Sequence, residues 1–132
     1  MPIQNPKGMT IAGYSLSGLV ILFLILDSVI KLVPIAEVTQ TMVQLGYPAS
    51  DALARGLGIL TLICVALYAV PKTSLLGAVL LTGYLGGAIA THLRVGSPIF
   101  THLLFGLYLG LLLWAGLWLR DPRLRAVMPF IR

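Results

Sequence analysis

The sequence predicts an all-α integral membrane protein: a four-helix up-down bundle with a short interfacial amphipathic helix between spans 1 and 2. Composition is the first reason. The 132 residues are 58% hydrophobic and only 10% charged, with a mean hydropathy of +0.99. A soluble domain sits nearer half apolar and a quarter charged. The second reason is segmentation. Four apolar stretches, each near the roughly 20 residues that cross a bilayer, are separated by short punctuated connections. The third is the placement of the ionisable groups that intrude on those stretches. Asp27, Lys31, Asp51, Arg55, His92, Arg94 and His102 all lie toward the same side of the membrane.

The chain opens with MPIQNPKGM, read as a loose tail. Span 1 covers about 10–33, and Pro34 terminates it, because proline disfavours helix at the residue before it. The apolar run from Ile11 to Ile30 is too long for a signal-peptide core and no small-x-small site closes it, so it reads as a retained span. In 35–46, Ile35, Val38, Met42 and Leu45 recur at helical spacing between polar residues, as in a helix lying in the interface. Gly46 stops it and Pro48 cannot continue it. Span 2 covers about 50–70, with Ser50 as its cap and Asp51 in its first turn. Span 3 covers 73–93 and span 4 covers 99–119, joined by RVGSP. A basic tail, 120–132, completes a single membrane domain.

Four spans place both termini on one side. That side holds Lys7, Lys72, Arg120, Arg123, Arg125 and Arg132, against Lys31, Arg55 and Arg94 on the other. The bias favours cytoplasmic termini and a polar cluster that opens outward. Tyr68, Trp114 and Trp118 suit the cytoplasmic interface, Tyr47 and Phe100 the opposite one. Small residues should let the helices approach closely: Gly13 with Ser17, Gly56, Gly83 with Gly87, and Gly106 with Gly110. A homodimer seam is an alternative use of Gly106 and Gly110.

Several function classes fall away. The length leaves no room for a soluble catalytic domain. The net charge of +5 forms no basic face, so nucleic acid is not an expected partner. The single cysteine, Cys64, cannot support a dithiol mechanism.

Asp27 is the sharpest chemical signal. At ~1.5 Å per residue it lies about 8 Å inside the end of span 1, where a carboxylate must be paired or wet. Lys31 is one turn further out on the same face. Asp27 therefore reads as a structural ion pair or as an acid/base or ligand-binding group. Asp51 and Arg55 repeat the spacing, and Arg55 could instead pair with Asp27 or grip a carbonyl, carboxylate or phosphate. His92 and His102 flank the third loop at similar depth. They read as interface histidines, as proton-handling groups, or as metal ligands with Asp27 or Glu37; no metal site is assigned. On span 3, Tyr84 and Thr91 share a face with Gly87 and Ala88 and could line a cavity. The candidate catalytic residues are thus Asp27, His92 and His102. The candidate ligand-binding residues are Lys31, Arg55, Tyr84, Thr91 and Arg94.

GYLGGAIATHLRVGSPIF (83–100), LGYP (45–48) and LRDPRLR (119–125) resemble the DoxX-like family of small bacterial membrane proteins. The resemblance runs from about Ser17 to Pro129. It implies a four-helix membrane bundle in the bacterial inner membrane. The family's founding name is tied to subunits of a thiosulfate:quinone oxidoreductase, and many members have no assigned activity. No family motif assigns catalytic residues to this chain.

Three functions stay in play. The first is an accessory subunit of a redox-linked complex, holding a quinone, lipid or isoprenoid-like molecule, with no intrinsic cofactor beyond a bound quinone and with a redox subunit as partner. The second is a cofactor-independent enzyme doing acid/base chemistry on a lipophilic substrate, such as an isomerase, cyclase or epoxide hydrolase. The third is an oligomeric transporter or scaffold.

Overall fold

A computed structural model describes residues 5–33 and 35–131, with His102 described by its backbone alone. Pro34, the expected terminator of span 1, and Arg132, one of the topological charges, lie outside the described residues. The helices are α1 (Lys7–Leu32), α2 (Ala36–Gln44), α3 (Asp51–Ala69), α4 (Ser74–Val95), α5 (Phe105–Arg120) and α6 (Pro122–Val127). A five-residue π-helical turn, Ile99–Leu103, leads into α5. Four segments are long and apolar enough to cross a membrane: α1, α3, α4 and the stretch Ile99–Arg120. Their outward surfaces carry exposed Leu, Ile, Val and Phe, a surface suited to hydrocarbon rather than water.

Local chemistry sets the boundaries. Ser50 caps α3, its side chain accepting from the Leu53 amide at 3.2 Å. Gly96 ends α4 with φ +72° and Gly46 closes the turn after α2 with φ +89°, conformations that favour glycine. At Gly46 the Tyr47 amide reaches back to the Met42 carbonyl at 2.8 Å and satisfies a group the helix end leaves open. Helix α2 buries Val38 and Met42 against Leu53 and Ala54 of α3, the amphipathic pattern its sequence displays.

Helix α1 packs against α3 and α5, and α4 packs against the same two, so α1 and α4 stand on a diagonal of the bundle. The core between them holds Val20, Leu24, Val65, Leu81, Leu113 and Leu117. Close approach occurs at particular glycines. A Cβ on Gly13 would lie 2.7 Å from the Gly116 carbonyl, and one on Gly58 would lie 2.9 Å from the Ser28 carbonyl. A Cβ on Gly77 would collide with the backbone of Tyr68. Gly106 packs within the chain against Leu85 and Ile89 of α4.

Four sequence expectations are corrected. Gly56, Gly83 and Gly87 make no tight helix contact, since a Cβ on any of them would meet nothing within 4 Å. Tyr68, expected among the interfacial aromatics, stands near the end of α3 with its ring turned into the bundle and fully buried. The basic tail is partly helical, because Pro122 suits a first helical position and the Asp121 side chain accepts from the Arg123 amide at 2.9 Å. The N-terminal segment is anchored at Asn5, which donates to the Leu119 carbonyl at 2.9 Å and accepts from Arg125.

Candidate functional site: an amphiphilic cavity under helix α2

A cavity of about 620 Å³ lies between α1, α4 and α5, with α2 across it. Its inner part is apolar, walled by Phe23, Leu24, Leu85, Ile89, Phe105 and Leu109. Phe23 and Phe105 meet edge to face with ring centroids 5.1 Å apart. Gly83 and Gly87 form part of the α4 wall. The missing side chains make the space, which is why this glycine pair contributes no helix seam.

One polar group intrudes on the apolar part. Lys31 Nζ lies 2.7 Å from Asp27 Oδ2 and donates to the Tyr84 hydroxyl at 2.9 Å. Asp27 and Lys31 meet because i,i+4 side chains share a helix face. Tyr84 reaches them from the diagonal helix, and Lys31 Nζ also stands 5.5 Å from the centre of its ring. Both charged side chains are largely shielded, at 20% and 28% exposure for Lys31 and Asp27. Charge held at such a depth requires a partner, and each supplies the other's. The Tyr84 oxygen accepts from Lys31, so its own hydrogen has no acceptor among the described residues.

Nearer the mouth, Thr91 donates to the Gly87 carbonyl at 2.8 Å, so the Tyr47 hydroxyl donates to Thr91 across 3.2 Å. His92 lines the cavity and its Nδ1 is 2.9 Å from Ser97 Oγ. Glu37 stands on the α2 side. Among the described residues no three His, Cys, Asp or Glu side chains group as metal ligands would.

Asp27, Lys31, Tyr84, Thr91 and His92 are therefore brought to one cavity. Arg55 and Arg94 are not on its wall. Arg55 does not meet Asp27; its Nε donates to the Leu32 carbonyl at 3.3 Å. Arg94 donates to the Leu45 carbonyl at 3.1 Å. Each satisfies a carbonyl at a helix end, a common use of basic side chains there. The His102 side chain lies outside the described residues. Sequence reasoning missed Tyr47, Phe23 and Phe105 as cavity residues. The period of α4 carries Gly83, Gly87 and Thr91 on one face, a signal that was open to a cavity reading as well as to packing.

Residues 15–116 match the DoxX-like family. The chain belongs to the DoxX-like family. The match covers spans 2 and 3 and most of spans 1 and 4, with the Asp27–Lys31 pair, Tyr84 and His92 inside it. No curated protein and no solved structure gives a significant match to this DoxX-like chain.

Proposed function

We propose that this DoxX-like protein binds a lipophilic molecule with a carbonyl head, of which a quinone is the type. The observation that carries the reading is the Tyr84 hydroxyl. Its oxygen is fixed by Lys31 while its hydrogen remains available, at the edge of the apolar part of the cavity. A carbonyl accepts such a donor, and Lys31 places positive charge beside it. Aliphatic and aromatic walls suit a ring or prenyl tail, and a volume of about 620 Å³ lies within the usual range for small-molecule sites. Redox turnover of a quinone would draw its electrons from a partner subunit, so the protein serves as an accessory component of a redox-linked complex.

The proposed setting is the bacterial inner membrane. The excess of Lys and Arg at the terminal side supports cytoplasmic termini and a cavity opening outward.

The test is a titration. Purified protein in mild detergent is titrated with a short-chain benzoquinone while Trp114 and Trp118 fluorescence is read. Saturable quenching by wild type, weakened about tenfold or more in Tyr84→Phe, supports the reading, since a hydrogen bond beside a charge contributes on the order of 1.5–3 kcal/mol. Quenching that is non-saturable, or equal in both proteins, overturns it.

A further inference from the structure

A second cleft, of about 320 Å³, lies at the opposite end of the bundle. It is bounded by Tyr14 of α1, Pro71 and Ser74 at the α3–α4 turn, and Arg120, Asp121 and Arg123 where α5 meets α6. Arg120 is held from several sides. Its Nε donates to Ser17 Oγ at 3.1 Å and its Nη2 to the Tyr68 carbonyl at 3.3 Å. The Tyr14 and Tyr68 rings each lie 5.1 Å from the guanidinium carbon. These contacts orient the guanidinium and leave further N–H groups of its fork without a partner among the described residues.

Arg123 supplies the second charge. Its side chain is 77% exposed and, among the described residues, bonds only to Asp121, at 3.1 Å from each of two nitrogens. Lys72 sits in the adjoining turn. Arg125 is differently employed, donating to the Trp118 and Leu119 carbonyls. Asp121 is the one acid at this end, and it occupies Arg123.

We propose that this cleft binds a phosphate group. A guanidinium fixed by its own contacts beside a second, largely exposed one matches the forked geometry that phosphate oxygens accept. The cleft sits at the ends of the spans, the depth of lipid headgroups, and Tyr14 presents a half-exposed ring on the outer face of α1. Basic recesses between spans are suited to anionic headgroups. The phosphate therefore comes from an anionic phospholipid of the adjoining leaflet. The inference is independent of the cavity under α2.

The full chain is placed in nanodiscs containing equal phosphatidylglycerol and phosphatidylcholine, and retained lipid is counted by native mass spectrometry. Inorganic phosphate binding is measured in parallel in lipid-free detergent. Wild type should retain phosphatidylglycerol preferentially. Arg123→Gln should lower that preference about fivefold, the effect of one basic side chain near a surface. Asp121→Asn should raise it, because Asn still caps α6 while releasing Arg123. That order in the lipid arm assigns the site to a headgroup. The same order in the phosphate arm alone keeps the phosphate site but makes its source soluble. Absence of the order in both arms overturns the proposal.

Discussion

The Lys31 ammonium donates to the Tyr84 hydroxyl at 2.9 Å and so links two helices that stand on the bundle's diagonal. The same ammonium is bound to Asp27 one turn below it on α1. A single cation thus couples a carboxylate and a phenol beside the apolar part of the cavity.

Removing the carboxylate charge should leave Lys31 stranded. Asp27→Asn is expected to destabilise the protein by about 1–2 kcal/mol. The value is below that for fully buried pairs because water still reaches this one. The double change Asp27→Asn with Lys31→Met should recover most of the loss. Thermal unfolding in detergent, followed by circular dichroism, gives both values. Equal stability of wild type and Asp27→Asn would show that the pair contributes nothing.

Two glycines on one helix should behave oppositely. Gly83→Leu grows into the cavity and meets no neighbour at Cβ, so the fold should persist while benzoquinone quenching weakens about tenfold or more. Gly77→Ala drives a methyl into the Tyr68 backbone and should lower stability by about 1–3 kcal/mol. Melting temperature and quenching, measured on both variants, should separate them cleanly.

Arg120 donates to Ser17, Ser17 to the Tyr68 hydroxyl at 2.9 Å, and Tyr68 to the Leu113 carbonyl. All are buried or partly so. Tyr68→Phe breaks the chain in the middle and leaves Ser17 and the Leu113 carbonyl short of a partner. A loss of about 1–3 kcal/mol is expected, visible as a lower melting temperature. An unchanged melt would mean that water replaces the phenol.

The Asp121 carboxyl responds to burial, which raises its pKa, but hydrogen bonds from the Arg123 side chain and amide outweigh that and hold it below its ordinary value of 3.8. A depressed carboxylate stabilises above its unfolded pKa, and that contribution disappears as pH falls through the lower folded value. Helix α6 should therefore stay fastened at neutral pH and loosen only below about pH 4. The Arg123 amide resonance should titrate in that window in wild type and not in Asp121→Asn.

Topology is open to direct labelling. Cys64 is buried, so a membrane-impermeant maleimide should report introduced cysteines alone. In intact cells Glu37→Cys should react and Lys72→Cys should not. The reverse pattern would place the cavity mouth in the cytoplasm.

Much of the architecture was legible because membrane spans are set by length and apolarity, and because proline and glycine mark their ends. The Asp27–Lys31 pair was legible for a similar reason: i,i+4 spacing is a property of one helix. What lay beyond reach depended on helix rotation. Tyr84 as Lys31's second partner, and Tyr68 as a buried donor, need the relative turn of two helices, which a 3.6-residue period fixes only loosely. Arg55, Arg94 and Arg120 show the same ambiguity. A guanidinium that grips a ligand, one that closes a helix end and one that sits inside a bundle look alike in sequence.

The edge-to-face rings of Phe23 and Phe105 have a further consequence. Both are about two-fifths exposed on the outward surface of the spans, and both also line the cavity. They stand where the cavity wall meets the outward surface of the spans. A molecule passing them would arrive sideways from within the leaflet. For the ligand proposed above, supply by that route would follow partitioning into oil rather than solubility in water.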